Sequence, residues 1–139
     1  FIRHCPCDDL SGADHASVDN GILKPEVTNT HYYAPVVFPR DGETVCSFSL
    51  VYRDVNANDT MTVRLERKLT NGSPSLAPKV MAQVKTGAGT LDKLRVSTTT
   101  NIVSPTIDTE NEFYFVEALV PTFNLGIVGV RIVVKPVCP

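Results

Sequence analysis

The sequence predicts an all-β fold: a single β-sandwich of about eight strands, preceded by an extended arm. Three observations carry this expectation. Val, Thr and Ile supply 39 of the 139 residues, and β-branched side chains favour the pleated, half-buried surface of a strand. Ten Pro and eight Gly cut the chain into short pieces. Between those breaks lie short runs of alternating or wholly apolar residues, with turn signals at strand-like spacing, the pattern of a sandwich. Jelly-roll and Greek-key connections are both compatible with it. At 139 residues with 42% apolar content, the chain is long enough for one domain with a core.

Residues 31–38, HYYAPVVF, form the first strand candidate, with Pro35 arguing for an edge or a bulge. Asp41-Gly42 marks a turn. In residues 44–54 the alternation places Cys46, Phe48, Leu50 and Tyr52 on one face. In residues 60–68 it places Met61, Val63 and Leu65 inward, with Thr62, Arg64 and Glu66 outward. Residues 79–86 put Val80, Ala82 and Val84 on one face, and in residues 91–100 Leu94 and Val96 are read as facing in. Residues 101–108 read as a weaker edge strand interrupted by Pro105. Residues 112–120 and 125–134 are apolar on both faces, which places them centrally or beneath a partner surface. Asn124 and Gly126 suggest a hairpin joining these two. No period repeats along the chain, against a solenoid or propeller.

The first 30 residues differ. They are polar and irregular, and they hold two of the three His and half of the Cys. They read as an extended arm (1–30) on a sandwich domain (31–139).

Composition excludes some functions. Thirteen basic and fifteen acidic residues leave a net charge of −2, with Arg64, Arg67 and Lys68 broken by Glu66. A phosphate backbone needs a basic stripe that is missing here, so no nucleic-acid partner is expected. No apolar run approaches a membrane-spanning helix, because Arg131 and Lys135 cut the C-terminal one. Residue 1 is Phe rather than Met, which removal of a signal peptide would explain. With the Cys content, this points to a secreted, extracellular or cell-surface protein.

The four cysteines, Cys5, Cys7, Cys46 and Cys138, allow three complete pairings. Cys5 and Cys7 flank a single Pro, and a bridge between them would be strained. One scheme therefore joins one of them to Cys46 or Cys138, and another cross-links neighbouring subunits. His4, Cys5, Cys7, Asp8, Asp9, Asp14 and His15 supply zinc- or copper-ligand types. The Cys-x-Cys spacing is not a zinc knuckle, and a solvated acidic arm is the preferred reading; no cofactor is expected. Asp14, His15 and Ser17 name triad residue types, but neighbours in one segment cannot line up as a triad.

Tyr32, Tyr33, Tyr52 and Tyr114 could form a sugar-stacking platform, although core packing is the commoner fate of a sheet Tyr. Glu117 interrupts an apolar strand; it is either a buried acid that would mark a site or, the commoner case, an exposed Glu or one paired with a neighbouring-strand Arg, for which Arg131 is the candidate. Asn58-Asp59-Thr60 and Asn71-Gly72-Ser73 match the glycosylation acceptor pattern.

The run Tyr32-Tyr33-Ala34-Pro35-Val36, Pro39 and Gly42, Tyr52 and Asp54, Val63 to Arg67, Met81-Ala82, Thr106 to Asp108 and Gly129-Val130-Arg131-Ile132 is similar to a loose group of uncharacterised secreted bacterial proteins with one β-sandwich-like domain. The resemblance covers residues 31–134. It implies a fold and carries no catalytic residues.

Together these readings lead to a non-enzymatic extracellular or envelope structural protein that associates with itself. The routes are arm exchange or strand addition, with disulfide cross-links and filament growth as consequences. A module for carbohydrate or surface adhesion, with cell-surface glycans as partners, is the alternative. A metal-binding accessory protein is the second alternative.

Overall fold

The computed structural model describes residues 2–4, 16–55, 58–72, 76–87 and 92–139. Ten strands are described: β1 (Ile2–His4), β2 (Ala16–Asp19), β3 (Ile22–Pro25), β4 (Thr30–Val36), β5 (Thr44–Asp54), β6 (Thr62–Leu69), β7 (Lys79–Lys85), β8 (Lys93–Thr99), β9 (Glu112–Val120) and β10 (Leu125–Lys135). They form two antiparallel sheets, sheet A in the order β1-β4-β9-β6-β7 and sheet B in the order β2-β3-β10-β5-β8. Among the described residues no helix is long and apolar enough to cross a membrane.

The pairing is nested. β3 pairs with β10, β4 with β9, β5 with β8 and β6 with β7, while β10 also joins β5 and β9 joins β6. This is a long hairpin rolled into two facing sheets, the jelly-roll arrangement. The core lies between the sheets. Phe48, Leu50 and Tyr52 of β5 and Leu125 and Ile127 of β10 meet Val63 and Leu65 of β6 and Val116, Ala118 and Val120 of β9.

β9 and β10 are each the middle strand of a sheet, as their two-sided apolar character predicts. They do not form the expected hairpin. Each already has a strand on both edges, and residues 121–124 carry the chain from one sheet to the other. Asn29 N–H donates to the Pro121 carbonyl at 3.1 Å and Val55 N–H to the Asn124 carbonyl at 3.3 Å, holding this crossing.

Three further departures have local causes. Val133 pairs with Ser47 and Val134 with Val45, so a bulge absorbs Cys46. Val45 thereby enters the core, and Cys46 turns away from Phe48 to bond Cys138. A second bulge pairs Leu65 with Ala82 and Glu66 with Val80, so Met81 is buried and Val80 faces out. In β8, Val96 pairs with Val51 and Leu94 with Arg53, both outward positions of β5. Leu94 and Val96 are therefore exposed rather than buried, at 59% and 64%.

Residues 101–108 are not a strand. They form one isolated bridge, Thr44 to Thr106, and Ile107 plugs the core. Within the stretch read as an arm, β2 and β3 form a hairpin around Asn20 and Gly21, both at positive φ (50° and 77°). An Asn-Gly pair suits a tight turn of this hand. The hairpin lies on this chain's own β10, and β1 lies on its own β4.

Gly126 marks where that hairpin meets β10. A Cβ placed there would stand 2.4 Å from the Ile22 Cγ2. Gly126→Ala is expected to destabilise the fold by about 1–3 kcal/mol, as overpacking does. Adding Ile22→Ala should recover most of the loss in a denaturant titration.

Candidate functional site

The outer face of sheet A carries the densest group of interacting polar and aromatic side chains among the described residues. Its position follows from register. Tyr33 of β4 pairs with Glu117 of β9, Glu117 with Arg64 of β6, and Arg64 with Gln83 of β7. Because side chains alternate along a strand, these four lie in one row across the sheet.

The row is joined by hydrogen bonds. The Tyr33 hydroxyl donates to Glu117 Oε1 at 3.0 Å, and Arg64 Nη1 donates to Glu117 Oε2 at 3.1 Å. Arg64 Nε donates to Gln83 Oε1 at 3.0 Å. His31, two residues before Tyr33 on the same face, places Nδ1 3.0 Å from Glu117 Oε1. Both carboxylate oxygens of Glu117 are therefore engaged. Burial pushes its pKa up, but hydrogen bonds from Tyr33, His31 and Arg64 outweigh burial and hold the carboxyl below its ordinary pKa. Burial and the bond to Glu117 push the Tyr33 hydroxyl up to about 12, so it remains a neutral donor.

Glu66 lies one step along β6 on the same face and is buried. Burial and the nearby Glu117 charge raise its pKa. A carboxyl whose folded pKa is raised favours the fold below its unfolded pKa and loses that contribution as pH rises. Glu66→Gln is therefore expected to raise the melting temperature at pH 7–8. The gain should vanish near pH 4 in paired thermal melts.

A line of rings crosses this polar row at Tyr33. Phe113 and Phe115 stand 6.0 Å apart, Phe115 and Tyr33 6.1 Å, and Tyr33 and His31 6.3 Å between centroids. Phe113 is exposed and Phe115 half-buried. A second ion pair closes one end of the sandwich, where Glu112 Oε2 accepts from Arg67 Nη1 and from the Tyr114 hydroxyl, both at 3.0 Å.

The sequence-derived candidates separate accordingly. Glu117 is paired, but with Arg64. Arg131 is on β10 in the opposite sheet, across from Ser49, and cannot reach it. Of the four tyrosines only Tyr33 faces outward. Tyr32, Tyr52 and Tyr114 are core residues, because each falls on the inward phase of its strand, so no four-tyrosine platform exists. Cys46 and Cys138 bond to each other, which removes the expected bridges from Cys5 or Cys7 to either of them. Cys5, Cys7, Asp8, Asp9, Asp14 and His15 lie outside the described residues, and His4 falls on β1. Among the described residues no group of three or more His, Cys, Asp or Glu could hold a metal ion. His31, Phe113 and Phe115 were not singled out by sequence, and Arg64 and Glu66 were read as outward positions without a site role; the signal was a shared outward phase on β4, β6 and β9.

Comparison with protein families, with curated proteins and with solved structures returns no match to this chain.

Proposed function

We propose that this chain is a non-catalytic recognition module of an extracellular protein, and that the outer face of sheet A binds carbohydrate. The observation that carries the reading is the line of rings Phe113, Phe115, Tyr33 and His31, which meets the bonded row Tyr33, Glu117, Arg64 and Gln83 at Tyr33. Aromatic faces take the apolar C–H surface of a sugar, and fixed planar donors and acceptors orient its hydroxyls. Glu117 fixes Arg64 and Tyr33 in place. That preorganisation reduces the ordering cost of binding. The Cys46–Cys138 bridge supports residence in an oxidising compartment.

Titration calorimetry against hexamers of β-1,4-linked glucose, xylose and N-acetylglucosamine tests the reading. At least one should bind, and Phe115→Ala should weaken it tenfold or more while the melting temperature stays within a few degrees. Absence of binding to all three and to a broad glycan array, or binding untouched by Phe115→Ala, would overturn it.

A further inference from the structure

The edge of sheet B at β8 is built unlike the matching edge of sheet A at β7. On β7 Met81 and Val84 point inward and Val80 alone of the large apolar side chains faces out, Lys79 and Lys85 stand at the two ends, and Val103 N–H donates to the Met81 carbonyl. Such charges and caps discourage pairing with another chain. Among the described strands β8 pairs with β5 alone, and it presents Leu94 and Val96 to solvent. Val51 of β5 and Val128 of β10 extend this apolar strip inward. On the opposite side of β8, the Arg95 Nε is buried with no hydrogen-bond partner.

We propose that β8 is a dimerisation edge, and that its occupant is β8 of a second copy of this chain, antiparallel across a two-fold axis at Val96. The seven residues Lys93–Thr99 are suited to this self-pairing. With Val96 opposite Val96, Leu94 faces Thr98, Arg95 faces Ser97 and Lys93 faces Thr99. No like charges oppose one another, and the Ser97 hydroxyl of the second copy comes beside Arg95, whose buried Nε has no hydrogen-bond partner. An in-register parallel arrangement would instead set Lys93 against Lys93 and Arg95 against Arg95, which is unfavourable. The antiparallel contact is isologous and closes on itself, joining two five-stranded sheets into one of ten strands. The two sheet A faces then belong to one particle, and the surface proposed above for sugar becomes bivalent.

Sedimentation equilibrium of the full chain is the test, with three substitutions. Wild type should dimerise at micromolar concentration. Val96→Lys sets two ammonium groups against each other at the axis and should weaken the dimer at least tenfold. Its melting temperature, measured at a concentration where both proteins are monomeric, should not change, because Val96 is exposed. Val96→Cys should form a reducible covalent dimer faster than Leu94→Cys, since only the residue on the axis meets itself. A wild-type monomer up to millimolar concentration would overturn the proposal. So would a Val96→Lys dimer within threefold of wild type, or equal cross-linking of the two cysteine variants. Sugar titration of the monomeric Val96→Lys protein separates this result from that of the binding face.

Discussion

Removing the Cys46–Cys138 bridge is expected to be the most damaging single change to this fold. The bond joins residues 92 apart in sequence. A loop of that length adds about 4–5 kcal/mol by restricting the unfolded chain. That is a large fraction of the stability of an ordinary domain. The native contacts around the bridge do not replace this effect, because it acts on the unfolded ensemble. Paired Cys46→Ala and Cys138→Ala substitutions should therefore lower the melting temperature by about 15 °C. The reductant-treated wild type should melt alongside the double variant. A double variant within 3 °C of the oxidised protein would mean that the unfolded chain is already compact in this region.

The second large effect is expected at Glu117. Its carboxylate is the shared acceptor for Tyr33, Arg64 and His31, and only 12% of the side chain is exposed. Glu117→Ala leaves a guanidinium, a hydroxyl and an imidazole without that acceptor. Loss of one partner from a largely buried pair costs about 3–5 kcal/mol. The half-exposed Arg64 can recover water, so a loss of about 2–4 kcal/mol is expected. Glu117 also sets an acid limb. Its folded pKa is lowered, so its contribution is present above the ordinary carboxylate range and lost as pH falls through the folded value. Glu117→Ala should remove that part of the acid dependence, and its effect should be strongly non-additive with Arg64→Ala in a double-mutant cycle. Simple additivity would show that the row is a set of surface contacts with no mutual support.

Alternation made much of this fold legible. The inward residues of β6, and Phe48, Leu50 and Tyr52 of β5, follow from it directly, as does the central place of β9 and β10. It failed wherever one extra residue entered a strand. The bulge at Cys46 exchanges that residue for Val45, and the bulge before Ala82 exchanges Val80 for Met81, and neither leaves a mark in composition. It also failed at β8, where a pattern of period two separates two faces without saying which is buried. Only the register against Val51 decides that. Glu117 was legible because a charge in an apolar run is conspicuous. Its partner was not, because whether Arg64 or Arg131 lies beside β9 is a property of strand order, which local sequence does not contain. The Asn20-Gly21 turn was legible in principle, but its flanking strands are only four residues each.

The nested pairing of the jelly roll has a consequence for how the chain acquires this structure. The innermost pair closes first in sequence terms, Arg67 meeting Lys79 across a short connection. Each later pair encloses the one before it, until Leu23 meets Ile127 nearly at the C-terminal end. Contacts this distant along the chain make folding slow. The β2–β3 hairpin is synthesised early but cannot be seated until β10 has emerged. For this protein, completion of the fold is an event that follows completion of the domain, and the bond from Cys138 back to Cys46 is available only then.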